Sequence, residues 1–442
     1  MPTTFRPCSP DQAFLFPPSP RDWLPDGHLA FFILDAVAAL DLQAFYAPYE
    51  GDGRRNAPFD PQMMLRVLLY GYVTGTVSSR RIAQKLQEDV AYRVLAAGNF
   101  PAHRTIAEFR QRHLADFEAL FVQVVQIARE AGVITLGTVA VDGSKVKANA
   151  SKRKAMSYGR MRDEEPRLRA QIAALLATAE ATDAAEDATH GADISGDELP
   201  AELQRRETRL AAIVKAKAAI EARQAAKDRE AGRTPDDGRK SRGPTPYKRD
   251  FGVPADTDQE NFTDPDSRIM KMSGGFDQGY NGQVVVDADS QLIVATRLTN
   301  VAADQGTLVP LVDRVHEILQ TAPGTTLADA GFRDETTFVE LERRKIPAYV
   351  SLGREGKAVV APSPEAAATG RMAAALATEE GRARYRRRKA IVEPVFGWLK
   401  HVMGFRRFSV RGLTKVTGEW SLVCLAVNLK RSHRLQLAIG PR

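Results

Sequence analysis

Residues from about 160 to 232 are rich in Ala, Glu, Arg and Gln, and they stand between the first predicted strand of the chain and the next two. Leu168, Ile172 and Leu176, then Leu199, Leu203, Leu210, Ile213 and Ile220, fall at three- and four-residue steps or their sum, the period of a helix with one apolar stripe. Gly191 to Pro200 breaks the run, which predicts an antiparallel helical hairpin with charged faces. Residues 233 to 247 hold Pro, Gly, Lys and Arg with little apolar content and read as a flexible basic linker. Any sheet in this chain therefore pairs strands across a large helical intrusion.

The strands themselves are short. Val139-Ala140-Val141-Asp142 reads as a buried strand ending in an acid. Gly282 to Asp287 and Leu292 to Leu298 read as two strands joined at Ala288-Asp289-Ser290, a turn signal. Leu308 to Leu319 is an amphipathic helix, Thr325 to Asp329 a second short strand ending in an acid, Thr336 to Arg344 a helix and Ala348 to Leu352 a last strand. With the intrusion set aside, this order matches a ribonuclease-H-like α/β core, a mixed sheet flanked by helices. That arrangement puts the two acid-tipped strands side by side.

The first 135 residues read as helical. Asp60-Pro61 opens a helix to Thr74, Ser78-Ser79-Arg80-Arg81 opens a second, and a third starts near Thr105, where Thr105 and Glu108 have capping-box spacing. Arg80, Arg81, Arg104, Arg110 and Arg112 give these helices basic faces. Short basic helices suit a helix-turn-helix-type DNA reader. An ordinary helical bundle with solvated Arg fits the same residues.

From Arg382 to Lys415 the chain has eleven Lys and Arg residues and one carboxylate, Glu393. Tyr385, Phe396, Trp398, Phe405 and Phe408 are interleaved with Arg388, Lys389, Lys400, Arg406 and Arg407, a mixture that suits a polyphosphate with stackable bases. Asp142, Asp329 and Glu393 are then three acids at the ends of elements. Each has a plainer explanation: a turn at Asp142-Gly143, a cap at Asp329, an ion pair to Lys389 or Lys400 at Glu393. Together they predict a site for hard divalent cations, which take oxygen ligands and relieve the repulsion of clustered carboxylates. Pro394 makes Glu393 either the cap of a new helix or a kink in a longer one. Trp398 either stacks on a base or packs as a helix core residue.

Composition narrows the class. The net charge is +7, with 43% hydrophobic residues in 442, which fits a globular protein of two or three domains. The two cysteines, Cys8 and Cys424, stand nearly at opposite ends. They make neither a zinc site nor a disulfide framework, and the expected compartment is the cytoplasm. No apolar run of membrane-spanning length and no signal-peptide pattern is present.

On Pro61 to Thr74, Ser78 to Arg112, Val139 to Met156, Asp264 to Asp304, Ala328 to Phe332 and Tyr385 to Asn428, the chain resembles bacterial insertion-sequence transposases of the DDE class. The likeness is greatest to the insertion-sequence eleven-eighty-two group. It implies that Asp142, Asp329 and Glu393 form the metal-binding triad, with Mg²⁺ as cofactor and Mn²⁺ accepted. Glu393 and Lys400 fit the Tyr-Arg-Glu-Lys signature of that class. Tyr385 and Arg388 lie one position upstream of its strict spacing, and Lys389 stands where Arg is expected. The implied partners are DNA, as terminal inverted repeats and target, and a second copy of the chain on the DNA ends, in a nucleoid-associated protein. The expected domains are a helical N-terminal DNA-binding domain (1-135), the first part of the core (136-159), the hairpin insertion and linker (160-247), the rest of the core with basic C-terminal helices (248-432) and a tail (433-442). A metal-dependent nuclease without strand transfer, and a catalytically decayed DNA-binding protein, are the alternatives.

Overall fold

The computed structural model describes residues 19–49, 57–190, 201–237, 239, 246–353 and 366–439, without the side chains at 20, 178–190, 201–202 and 436–439. The predicted break at Gly191 to Pro200, Cys8 and part of the basic linker lie outside the described residues. The chain opens with helices α1 (Leu29–Ala38), α2 (Gln43–Tyr46), α3 (Pro61–Val73), α4 (Ser79–Glu88), α5 (Val90–Leu95), α6 (His103–Arg112) and α7 (Asp116–Glu130). Asp60 caps α3 by accepting a hydrogen bond from the Met63 amide at 2.7 Å, and Pro61 fills the first helical position, where its missing N–H is no loss. The capping box expected at Thr105 and Glu108 does not form. α6 begins at His103, just after Pro101 and Ala102, so Thr105 lies inside its first turn.

The sheet follows. β1 (Val139–Lys147) leads to β2 (Ala155–Ser157), then to the long helices α8 (Tyr158–His190) and α9 (Ala201–Glu230). Next come β3 (Gln259–Asn261), β4 (Arg268–Met272), β5 (Gly275–Asp287), β6 (Ile293–Thr299), α10 (Leu308–Leu319), β7 (Thr326–Ala328), α11 (Glu335–Arg343) and β8 (Ala348–Val350). β1 is antiparallel to β5, with Asp142 opposite Val284, and parallel to β7, with Val141 opposite Ala328. β7 lies parallel to β8. The path is β4–β5–β1–β7–β8, and β6 pairs with β5. Val139 to Val141 and Val284 to Val286 are buried, as central strands covered on both faces must be. β5 starts at Gly275, well before the expected Gly282, and pairs there with β4.

Three further helices close the chain: α12 (Ala367–Ala377), α13 (Glu379–Gly397) and α14 (Leu413–Ile439), with a π-helical turn at Trp398–Val402. Pro394 sits within α13 rather than starting a new helix. It cannot bond the Ala390 carbonyl, and Gln291 Nε2 donates to that carbonyl instead, at 3.1 Å. α14 runs on to Ile439, through much of the expected tail. No single helix among the described residues is long and apolar enough to cross a membrane.

One cluster of buried apolar side chains extends from Leu29 to Leu429, so the N-terminal helices and the sheet share a core. α14 is central to it. A Cβ on Gly282 of β5 would come within 2.7–2.8 Å of the Trp420 indole, so glycine is required there. Glu419, beside it, is buried and accepts from the Ser409 amide at 2.7 Å, the Ser409 hydroxyl at 2.5 Å and the Tyr72 hydroxyl at 3.4 Å. Arg110 Nη1 donates to Tyr72 Oη at 3.3 Å and to the Val77 carbonyl at 3.0 Å. Arg110 was expected on a DNA-facing surface. It is buried instead, because it shares the inward side of α6 with Ile106 and Phe109 and completes the Tyr72–Glu419 network.

The α8–α9 hairpin has its own small core of Met156, Tyr158, Met161, Leu168, Ile213, Ala216 and Ile220. Tyr158 bonds Glu221 at 2.7 Å, Glu165 pairs with Lys217 at 3.0 Å and Glu164 with Arg209 at 3.1 Å, so the two helices run antiparallel. Leu176, expected in the stripe, is exposed.

Glu419→Ala should strip the Ser409 amide, the Ser409 hydroxyl and Tyr72 of their acceptor. The expected loss is about 2–4 kcal/mol, since a buried donor left unpaired costs roughly 1–3 kcal/mol. Urea unfolding followed by Trp fluorescence reads it, and a loss under about 0.5 kcal/mol would show that the network is not stabilising.

Candidate active site

The register of two parallel strands sets the site. Val141 pairs with Ala328; Asp142 is the next residue of β1, and Asp329 is the first residue beyond the end of β7. Asp142 is largely buried, with its side chain 21% exposed. Its Oδ1 accepts from the Gly143 amide at 2.7 Å, and its Oδ2 accepts from Arg388 Nη1 at 3.1 Å. Burial pushes the Asp142 carboxyl above its ordinary range. The negative charge of Asp329 raises it further, while Arg388 pulls it back. Asp329 also caps the 3-10 turn Ala330–Phe332, accepting from the Gly331 amide at 2.9 Å. The cap and the proximity to Asp142 coexist.

α13 supplies the cations. Arg388 lies on its buried side, facing β1. Burial works against its charge, but Asp142, Tyr385 and Asp329 outweigh that and hold the guanidinium above its usual pKa. Lys400, in the π-helical turn, is pulled down by burial and partly restored by Asp142. Its Nζ sits 6.0 Å over the Phe396 ring. A cleft of about 920 Å³ opens beside these groups, lined by Asp329, Gln305, Arg333, Tyr385, Arg388 and Lys389 among others.

Glu393 does not join the two aspartates. It is exposed on α13, on a different side of the helix from Arg388. Among the described residues no group of three or more His, Cys, Asp or Glu side chains is placed to hold a metal ion. The donor set therefore fits a divalent cation in part: Asp142 and Asp329 offer adjacent carboxylate oxygens, and the cation now facing Asp142 is a guanidinium.

Asp304 was given no role from the sequence, yet it lies beside the pair. A Cβ on Gly143 would be 2.8 Å from Asp304 Oδ1, and one on Gly331 would be 3.0 Å from Asp329 Oδ1 and 3.4 Å from Asp304 Oδ2. Asn281 and Gln283 each donate to Asp304 at 2.7 Å, and Lys145 pairs with it at 3.1 Å. The glycines keep these approaches open. A Gly directly after each aspartate or one residue on was the available signal.

The other predicted contact residues are spread out. Arg80, Arg81 and Arg104 are exposed on the N-terminal helices. Arg406 and Arg407 are exposed beyond the π-helical turn, with Arg406 Nε donating to the Lys400 carbonyl at 3.2 Å. Trp398 is half-buried and packs on the main core.

Two family models match the chain. The Transposase DDE domain covers residues 354–433, and the Transposase domain (DUF772) covers residues 18–112. No curated protein and no solved structure matches. The two matches indicate an insertion-sequence transposase family, and the DDE domain indicates a DNA-cleaving enzyme. The first match contains Glu393, Arg388 and Lys400; Asp142 and Asp329 lie outside both.

The ion pair gives a pH-dependent prediction. A carboxyl whose pKa is raised by folding favours the fold most below the ordinary carboxylate range and loses that contribution as pH rises through the raised value. Arg388 limits the loss at Asp142. Arg388→Ala should therefore destabilise the protein by about 2–4 kcal/mol at neutral pH, and by less once Asp142 is protonated. Urea unfolding at neutral pH and near the carboxylate range reads the difference, and equal losses at both would assign Arg388 to packing alone.

Proposed function

We propose that this protein is a DNA transposase of the insertion-sequence eleven-eighty-two type, with a ribonuclease-H-like core, that cuts at terminal inverted repeats and joins the freed ends to target DNA. The observation that carries the reading is the juxtaposition of Asp142 and Asp329 on parallel neighbours β1 and β7, in a chain whose C-terminal part matches a transposase DDE domain. The sheet path, with β5 antiparallel to both β1 and β6 and with β7 and β8 running parallel to β1, supports the core assignment.

In this reading Asp142 and Asp329 would hold Mg²⁺, and Glu393, exposed on α13 in this structure, would complete the set once bound DNA re-aims it. Divalent cations bound by carboxylates activate a water or a 3′-hydroxyl and stabilise the leaving oxygen of a phosphodiester. Arg388, paired with Asp142 at 3.1 Å, would balance its charge where no metal is bound. Tyr385 and Lys389 line the cleft and, with Lys400, grip the phosphates that flank the cut, while Asp304 holds Lys145 beside the aspartates. Cutting transfers the phosphoryl group from the 3′-oxygen of one nucleotide to water. Joining transfers a target phosphoryl group to that 3′-oxygen, breaking one P–O bond as another forms. The N-terminal helices read the terminal repeats through Arg80, Arg81 and Arg104. The α8–α9 hairpin serves the assembly of two DNA ends by two or more copies of the chain.

Incubation with the element's ends, a target plasmid and Mg²⁺, followed by product mapping, tests this. Cleavage and joined products are expected with Mg²⁺ or Mn²⁺ and not with Ca²⁺ or excess EDTA. Asp142→Asn, Asp329→Asn and Glu393→Gln should each abolish cutting, by roughly 10³-fold or more, while DNA binding survives. Near-normal cutting by any one variant removes that residue from the triad, and cutting without joining reduces the activity to that of a nuclease.

A further inference from the structure

We infer that the chain carries a second phosphate track for duplex DNA, apart from the cleft at Asp329, running from Arg407 and Arg411 across Lys152, Arg153 and Lys154 to Arg160 at the root of the helical hairpin. The inference rests on the reading of the protein as a DNA-acting enzyme and adds a surface to it.

Two segments distant in sequence are sewn together to make this surface. Beyond its acid, β1 continues to Lys147, whose amide donates to the Arg406 carbonyl at 3.2 Å and whose carbonyl accepts from the Phe408 amide at 2.9 Å. Asn149 Nδ2 donates to the Ser409 carbonyl at 2.8 Å, and Arg411 Nε donates to the Asn149 carbonyl at 2.9 Å. The Lys152–Lys154 turn is held as firmly. Ser151 caps it through the Arg153 amide at 3.3 Å, the Lys154 amide bonds the Ser151 carbonyl at 2.9 Å, and the Lys154 carbonyl accepts from the Phe262 amide at 3.0 Å. The backbone is thus fixed while the charged ends stay in solvent.

Two clefts prove continuous through shared residues. One, of about 540 Å³, is lined by Lys152, Arg153, Lys154, Arg407 and Arg411. The next, of about 310 Å³, shares Arg153 and Lys154 and continues to Arg160 and Arg209 of the hairpin. Lys152, Arg153, Lys154, Arg160, Arg407 and Arg411 are all exposed. The first cleft holds one acid, Asp277, which is paired with Lys147 at 2.9 Å. Asp277 is taken up by Lys147 and Arg209 by Glu164 at 3.1 Å, and the remaining exposed cations form a row that fits the regularly spaced charges of a nucleic-acid backbone. No exposed aromatic stands among the described lining residues: Phe262 packs on the hairpin core. Single-strand binders rely on stacking platforms, so the surface fits a duplex whose bases stay paired.

The test uses the full-length protein and a labelled duplex of unrelated sequence, with affinity measured by fluorescence anisotropy from roughly 50 to 200 mM salt. The variant Lys152→Ala/Arg153→Ala/Lys154→Ala should flatten the plot of log affinity against log salt by about 0.9 for each phosphate no longer neutralised, roughly two to three in slope. Arg407→Ala/Arg411→Ala should act in the same direction, which covers the case in which the triple variant fails to fold. Lys152→Arg/Lys154→Arg should keep the native slope, as should Arg343→Ala/Arg371→Ala, whose cations are paired with Glu340 and Glu342. A native slope in both folded alanine variants overturns the inference, as does displacement of the duplex by an acidic peptide at lower concentration than by unlabelled duplex. Asp142→Asn separates this from the function proposed above. If that variant cuts normally while the track variants show flattened slopes, the catalytic reading falls and the track stands.

Discussion

Two carboxylates on neighbouring parallel strands repel, and burial adds to the cost of ionising both. Asp142 and Asp329 are in this position, and the fold answers with Arg388. That contact joins the buried side of α13 to β1, and Tyr385 and Lys389 of the same helix line the cleft beside it. It also explains why a guanidinium is buried at all: its charge is retained because acids surround it. A divalent cation and a guanidinium answer the same electrostatic need, so the site is organised around positive charge whichever supplies it.

Much of the core was legible because its signals are local. α10 has the predicted bounds, β1 and β7 begin or end within a residue or two of their apolar runs, and the hairpin has the predicted stripe at Leu168, Leu203, Ile213 and Ile220. What was missed depends on partners remote in sequence. β4 and the first half of β5 lack an apolar run and exist because they pair with each other. Arg110 looked like a surface cation because nothing nearby in sequence reveals Tyr72 or Glu419. The Thr105 cap failed because Pro101 starts the helix earlier.

The candidate site divides along the same line. The two aspartates were readable from apolar strands that end in an acid, and their adjacency follows from strand order. Glu393 was readable only as a lone acid among bases, and the helix carries it to an exposed position. Asp304 lies in a stretch without periodicity, and its role shows only when Gly143 and Gly331 come together around it. Pro394 illustrates how such departures are absorbed: the carbonyl it orphans on Ala390 is satisfied by Gln291, from the turn between β5 and β6.

The two separate apolar clusters carry a consequence for how the molecule opens. The N-terminal helices, the sheet and α14 are bound by one core, so loss of any part exposes the rest, and they melt as a single cooperative unit. The α8–α9 hairpin rests on a handful of side chains of its own and on ion pairs at its surface. With so few buried side chains, its opening is expected to cost less than global unfolding. The chain thus joins a body with one shared core, which bears Asp142, to an arm with a small core of its own.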